Sequence, residues 1–350
     1  MKILFHAYNT CCQAESGGVQ VRVRKIKSLL EKKGVQVDLF NPYETKLSNY
    51  DILHLFMLTE ETSELTRIAK LQGLKVVASS ITTIYSYSPS VISIIRLLQP
   101  FQNKIGFYSN YQNRYNLYHQ VDHIISETPE EKRYIQRLYH VDNQNISVVP
   151  NGVEVIEETD DKIYKLIGKK CRYVMQVGRA DENKNLLNVI KAVKGAEYDL
   201  VVVGGRTPID SGVYFDRCVK EAEGCNNIHF IGWLKSGSRE LASAYKNAQA
   251  VIMPSYKETF GLVALEAAMA GCNVCLSNTL PILDFNVFDR NFTFDPRNVD
   301  EIRKVLDKAM VTPHNELIRR KAIEIFSWES IIEKHIDIYN NLLEDNDRNK

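Results

Sequence analysis

The sequence predicts an α/β protein built from two doubly wound, Rossmann-like domains. Three observations point there. The chain is 350 residues long, more than one ordinary core organises and about right for two. Short, apolar, β-branched runs alternate with helical patterns, as in parallel sheets covered by helices on both faces. That rhythm runs through twice. The stretch between the two series, Asn151 to Lys170, has little periodicity and several acids, so it reads as a linker.

The strands of the first series are "KILFHAY" from Lys2, "VQVDLF" from Val35, "DILHLF" from Asp51, "KVVASS" from Lys75, "DHIIS" from Asp122 and "ISVVP" from Ile146. Helical patterns such as Val19 to Lys33 and Glu61 to Leu71 separate them. "TPEE" predicts a helix start, with Thr128 as cap, Pro129 in the first turn and Glu131 closing a capping box. The second series has "RYVMQVG" from Arg172, "YDLVVVGG" from Tyr198, "NIHFIGW" from Asn227, "QAVIMPS" from Gln249 and "NVCLS" from Asn273. "LVALEAAMAG" is a helix that Gly271 ends as a left-handed cap.

Composition excludes several classes. The formal net charge of +1 gives no global field for nucleic acid. Seven scattered cysteines fit reduced thiols of a cytosolic protein better than a disulfide framework. The opening "MKILFHAYN" reads as a strand and not as a signal peptide. No uncharged apolar run is long enough to span a membrane. Cys272 and Cys275 have zinc-knuckle spacing, but no second pair follows and the segment reads as a buried strand. The "DND" at Asp345 has the D-x-D pattern of a metal site, yet it lies in a polar tail predicted to be disordered. There is no H-E-x-x-H.

The chemistry centres on "KETFGLVALEA", which sets Glu258 before a short turn and Glu266 inside the following helix. Ligands of such sheets bind beyond the carboxyl ends of strands. The backbone N–H groups of Phe260, Gly261 and Leu262 would point outward there as an anion site at a helix N-terminus, and Gly261 allows close approach. Glu266 is placed to accept hydrogen bonds from ribose hydroxyls, and Glu258 to reach what lies beyond the phosphates. Taken alone, the plainer account is a loop acid and a helix-surface acid. "VGRADENKN" shifts the balance, because it places Arg179 and Lys184 at another strand end. A guanidinium fork and a mobile ammonium there suit a diphosphate. "ESGGVQVRV" adds Gly17 and Gly18 after the first strand, although a plain turn also explains a glycine pair, and the dinucleotide fingerprint G-x-G-x-x-G is missing. Two carboxylates also raise a glycosidase, but a retaining pair sits about 5 Å apart whereas eight helical residues rise about 12 Å.

On these residues the chain resembles the glycosyltransferases of family 4, the group 1 glycosyltransferases, whose GT-B fold is two facing Rossmann-like domains with a cleft between them. "SGGVQ", "VVPNGVE", "VGRADENKN", "IHFIGWL" and "PSYKETFGLVALEAAMAGCNV" carry the resemblance, with "FSWESIIEKHIDIYNNLL" similar to the family's returning terminal helix. It implies an N-terminal, acceptor-side domain over 1–153, joined by a C-terminal helix over 328–345, and a nucleotide-sugar-binding domain over 154–327. It also implies transfer of a sugar from a nucleotide diphosphate sugar with retention at the anomeric carbon, no metal, and no cofactor besides that donor. Arg179 and Lys184 would bind the diphosphate and stabilise the leaving group. Glu266 would hold the ribose, Glu258 would meet the donor sugar, and Gly17 and Gly18 would form a loop over the phosphates. Two departures stand out: Ser80 occupies the place where members often carry a histidine, and "TLPILDF" after Asn278 replaces a glycine-rich, glutamate-containing segment.

The implied acceptor is a glycan or lipid-linked molecule of cell-surface assembly. Two stretches bear on where that happens. Val19 to Lys33 carries Arg22, Arg24, Lys25, Lys27, Lys32 and Lys33 against Glu31. Residues 84–118 hold Tyr85, Tyr87, Tyr108, Tyr111, Tyr115 and Tyr118 with Phe101, Phe107, Arg96, Lys104 and Arg114. Ordinary solvated faces are the plainer account; docking of a cytoplasmic enzyme at an anionic inner membrane face is the sharper one. Two competing classes remain. One is a catalytically silent GT-B subunit, against which the intact Glu258, Glu266, Arg179 and Lys184 argue. The other is a Rossmann oxidoreductase, against which the missing fingerprint argues.

Overall fold

The alternating apolar runs form two sheets of six strands, with every pairing parallel. The computed structural model describes residues 1–7, 11, 18–80, 89–98, 110–157, 160–206, 212–258 and 260–348. Met1–Asn151 with Glu329–Lys350 make one compact unit, and Gly152–Trp328 make the other.

In the first unit the strands are β1 (Lys2–His6), β2 (Gln36–Leu39), β3 (Ile52–Phe56), β4 (Lys75–Ser79), β5 (His123–Ser126) and β6 (Ile146–Val148), in the order β2-β1-β3-β4-β5-β6. The helices are α1 (Gly18–Lys32), α2 (Glu60–Leu71), α3 (Pro89–Leu98), α4 (Asn110–Gln120) and α5 (Pro129–Tyr139). α5 starts as its sequence predicts, with the Glu131 N–H donating to the Thr128 hydroxyl at 3.0 Å. The predicted capping box differs in one respect. The Glu131 carboxylate accepts from the Glu127 N–H at 2.6 Å, one residue before the cap, and from the Ser80 hydroxyl at 2.7 Å.

Several expectations are corrected in this unit. α1 buries Val23, Ile26 and Leu30, and Arg22 stands four residues before Ile26, on the same side of the helix. Arg22 is therefore buried at 3% exposure and not part of a basic face. It pairs with Glu127 and reaches the Val149 carbonyl at 3.5 Å. Lys27 pairs with Glu31, and Lys33, just past the helix, with Glu333 at 3.5 Å, so other cations of the stretch also have partners. Of the aromatic stretch, Tyr111 and Tyr118 are core residues whose rings lie 5.5 and 4.8 Å from that of buried Tyr139. Tyr85, Tyr87, Phe101, Lys104, Phe107 and Tyr108 lie outside the described residues.

In the second unit the strands are β7 (Tyr173–Arg179), β8 (Asp199–Gly205), β9 (Ile228–Gly232), β10 (Ala250–Met253), β11 (Asn273–Ser277) and β12 (Thr293–Phe294), in the order β12-β11-β10-β7-β8-β9. The helices are α6 (Lys162–Ile167), α7 (Leu186–Val193), α8 (Val213–Glu221), α9 (Arg239–Asn247), α10 (Leu262–Ala270), α11 (Val299–Val311) and α12 (Glu316–Phe326). The stretch read as a linker is largely structural: Val153 and Ile163, on α6, are buried in the same apolar cluster as β7 and β10 residues. Cys272 and Cys275 are both buried, and they belong to different apolar clusters.

The last helix, α13 (Trp328–Arg348), belongs to the first unit from Glu329 onward. It seats Ile331, Ile332, His335 and Tyr339 in the core. The Tyr339 hydroxyl is 2.6 Å from Nδ1 of buried His54 on β3. The "DND" stretch is helical and not a disordered tail, because no Gly or Pro interrupts the helix that these apolar anchors start.

Candidate active site

The second sheet starts in its middle. The chain enters at β7, winds outward through β8 and β9, then returns to the other side of β7 with β10, β11 and β12. Winding direction therefore reverses between β7 and β10. In an open parallel sheet the crevice outside the carboxyl ends at such a reversal is where ligands bind. The segments that follow β7 and β10 carry the residues singled out above.

After β7, Arg179 is half-exposed and its Nη2 lies 3.3 Å from Asp181 Oδ2. Asp181 caps a 3-10 turn, Glu182–Lys184, and its Oδ1 accepts the Lys184 N–H at 2.9 Å. The Lys184 ammonium is paired with Glu258 Oε1 from the segment after β10. Lys184 and Glu258 are 74 positions apart in sequence and in direct contact. Asn185 follows in a left-handed conformation and donates to the Pro296 carbonyl at 2.7 Å.

After β10, Phe260 is a core anchor. Its ring makes edge-on contacts with Phe285 and Phe326 at 6.1 and 6.3 Å, so only its backbone is left for a ligand. Gly261 precedes α10 with φ of 106°, and a Cβ there would lie 2.8 Å from Met253 Cε. Its glycine is required by the turn itself. Leu262 opens α10 with a partly exposed side chain. The N–H groups of a helix's first turn have no acceptor within the helix, so this terminus has donors to offer. Thr259 lies outside the described residues.

Glu266 is half-buried on α10. Its Oε2 accepts the hydroxyl of buried Tyr245, on α9, at 2.5 Å. Burial pushes the Glu266 carboxyl above its ordinary range, and the Tyr245 hydrogen bond opposes that rise. Its second oxygen carries no hydrogen bond among the described residues. Tyr245 thus holds one oxygen of Glu266 and leaves the other available. No spacing pattern in the sequence marked Tyr245; it was one aromatic residue in an amphipathic helix.

In the first unit, Gly18 is the first residue of α1. Gly17 lies outside the described residues. Ser80 is buried behind β4, where its hydroxyl also lies 3.2 Å from the Ile125 carbonyl. The "TLPILDF" segment folds as an apolar turn, Pro281–Phe285, with Leu280, Ile282 and Leu283 buried. Among the described residues no three His, Cys, Asp or Glu side chains are grouped to hold a metal ion. Among them, too, no helix is long and apolar enough to cross a membrane.

Comparison with known proteins identifies the family. A model described as glycosyl transferases group 1 matches residues 157–324, and one described as glycosyltransferase family 4 matches residues 43–156. The two are consecutive and together cover most of the chain, which belongs to the GT-B group 1/family 4 glycosyltransferases. The O-antigen chain mannosyltransferase of Salmonella typhimurium is 28% identical over 158 residues, 45% of this chain and 42% of that protein. The processive diacylglycerol alpha-glucosyltransferase of Acholeplasma laidlawii is 22% identical over 342 residues, 95% of each chain. The first of these, like several other relatives, is matched over only about half its own length. A solved Anabaena protein in complex with UDP superposes with a TM-score of 0.71 at 15% identity, covering 97% of this chain and 100% of that one. At that identity the match carries the fold: two Rossmann-like halves of GT-B type.

Proposed function

We propose that the protein transfers a sugar, with retention at the anomeric carbon, from a nucleotide diphosphate sugar to a glycan or lipid-linked acceptor of cell-surface assembly. The observation that carries this reading is the convergence of Arg179, Lys184, Glu258 and the α10 N-terminus at the β7/β10 reversal. Two cations and a set of backbone donors at one strand edge suit a diphosphate. The Glu266 oxygen that Tyr245 leaves available suits ribose hydroxyls. The UDP complex of the Anabaena protein and the polysaccharide and glycolipid transferases among the relatives agree with this class of donor and acceptor.

In the proposed step the diphosphate displaces Glu258 as the partner of Lys184. Arg179, Lys184 and the N–H groups of Phe260, Gly261 and Leu262 then stabilise the negative charge that grows on the leaving nucleotide. Glu258, released, stands beside the sugar, where a carboxylate stabilises the positive charge developing on the ring. Its role is electrostatic rather than nucleophilic. No metal is needed in this scheme, because protein groups meet the phosphate charge.

The acceptor side is assigned to the first unit, at the cytoplasmic face of an anionic membrane. α3 supports this: Val91, Ile94 and Leu97, spaced by three, are all exposed. Residues 65–121 contain no Asp or Glu, so nothing acidic in that run repels an anionic surface.

The test is a thermal-shift panel of UDP-glucose, UDP-galactose, UDP-N-acetylglucosamine, GDP-mannose and NAD, since a ligand of the folded state raises its stability with occupancy. Stabilisation by a nucleotide sugar, followed by transfer that survives EDTA, is the expected result. A response to NAD alone would overturn the reading, and donor binding without transfer to any glycan or lipid acceptor would leave a silent subunit.

A further inference from the structure

Lys184 and Glu258 come from two segments that a single side chain joins. Asn183 stands directly before Lys184, and Lys257 directly before Glu258. The Asn183 side-chain amide bridges the Lys257 backbone. Its Nδ2 donates to the Lys257 carbonyl at 2.9 Å, and its Oδ1 accepts the Lys257 N–H at 3.0 Å. The Asn183 backbone carbonyl also accepts the Tyr256 N–H at 3.0 Å. Three hydrogen bonds thus join one residue to two consecutive residues across the β7/β10 reversal. Asn185 extends the seam, since its Oδ1 accepts the Tyr256 hydroxyl at 3.2 Å and its Nδ2 lies 3.3 Å from the Pro254 carbonyl.

A side-chain amide carries a donor NH2 and an acceptor oxygen on one planar group, so it can meet the N–H and the C=O of a single residue at once. Aspartate in its place would keep the bond to the Lys257 N–H but set an oxygen against the Lys257 carbonyl. Alanine would keep neither. Asn183 is partly exposed and buries no apolar surface of note, so its contribution is orientation rather than core packing.

We infer that Asn183 is a positioning residue of the transfer step, fixing the Glu258 segment against the Arg179–Lys184 segment. This rests on the proposed role of Glu258. Misplacing a reacting or stabilising group by about 1 Å can cost roughly a hundredfold in rate. The Arg179–Asp181–Lys184 arrangement lies within one segment and does not depend on the Asn183 side chain. Loss of the clamp is therefore expected to lower kcat while leaving affinity for the free nucleotide nearly as it was.

Two measurements test this. In the unliganded protein, Asn183→Ala should speed amide exchange at Lys257, with Asn183→Asp intermediate because it retains that one acceptor. With the donor identified in the panel above, Asn183→Ala should lower kcat about ten- to a hundredfold with the Kd for UDP or GDP changed by less than about threefold. Combined with Glu258→Gln, it should add little, because the group it positions has already been disabled. Unchanged exchange at Lys257 would overturn the clamp. Faster exchange with unchanged kcat, or losses that simply multiply with those of Glu258→Gln, would overturn the positioning role. Full turnover in Glu258→Gln alone, beside faster exchange in Asn183→Ala, would place the failure in the reading of Glu258.

Discussion

The two sheets reverse direction at equivalent places, between β1 and β3 in the first unit and between β7 and β10 in the second, yet they treat polar side chains in opposite ways. Beside the first reversal the polar groups are buried and held by the chain itself. Arg22 is paired with Glu127, and His54 is held between Tyr339 and the Ser79 hydroxyl at 2.6 and 3.0 Å. At the second, Arg179 and Lys184 remain partly exposed, and each is paired with a carboxylate at the rim of the sheet. One topology thus serves two ends. Polar groups sealed under helices specify a packing, whereas polar groups left at the rim stay open to solvent.

Breaking a sealed pair should have the largest effect. Arg22→Met strands the Glu127 carboxylate in a buried place, which typically costs about 3–5 kcal/mol. Denaturant unfolding should show that loss in the first unit, and an unchanged profile would mean that Arg22 is no more committed than Arg179. At the rim the outcome should invert. Arg179→Ala or Lys184→Ala is expected to keep the unfolding profile and to raise the barrier to transfer by about 2.7–4 kcal/mol, read as kcat/KM. Near-normal turnover in both variants would remove the distinction between the two reversals.

A finer contrast lies within the second unit. Glu266→Gln should weaken binding of the free nucleotide diphosphate along with the whole donor, whereas Glu258→Gln should spare nucleotide affinity and depress turnover. Tyr245→Phe should follow Glu266→Gln at reduced size, since the hydrogen bond it removes orients one oxygen of Glu266; a hydrogen bond to a charged group contributes about 1.5–3 kcal/mol. Calorimetry with UDP or GDP beside steady-state kinetics separates these cases. Equal affinity losses in Glu258→Gln and Glu266→Gln would show that the two carboxylates do not divide the ligand.

The smallest effect concerns acid. Burial and the nearby Arg22 charge lower the imidazole of His335 to about 4 and that of His54 well below its usual value. Both are neutral in the folded unit. An unfolded histidine takes up its proton near pH 6.5, so the unfolded chain binds more protons as the solution is acidified. First-unit stability is therefore complete above about pH 6.5 and is lost progressively as pH falls towards 4. Amide exchange of α13 at pH 7.5 and pH 5 should show the loosening, and His335→Phe should reduce the difference.

Much of this was legible in the sequence for physical reasons. The eleven runs chosen as strands are strands, because a buried parallel strand needs a short, continuous, β-branched run, and little else in a soluble chain looks like that. β12 was missed because Thr293–Phe294 is two residues long and sits against β11 with no pattern of its own. Arg22 was read as solvated because cations on a helix usually are; only the partner Glu127, 105 positions away, shows otherwise. The site was legible as separate segments, not as contacts. "GRADENKN" and "KETFG" announce charges at strand ends, but the Lys184–Glu258 pair, the Tyr245–Glu266 bond and the Asn183 seam are long-range facts. They follow from strand order, which periodicity does not reveal.

The return of α13 to the first unit also has a consequence for synthesis. The seat on β3 that Tyr339 and His335 occupy is made before the second unit, while its occupant is made after it. At about 5–20 residues per second, residues 152–328, the whole second unit, take roughly ten to thirty-five seconds to appear. Throughout that interval the nascent first unit holds His54 and its apolar surroundings uncovered. A chaperone, or the ribosome surface itself, has a defined window in which to shield that face, and the window closes only when α13 emerges.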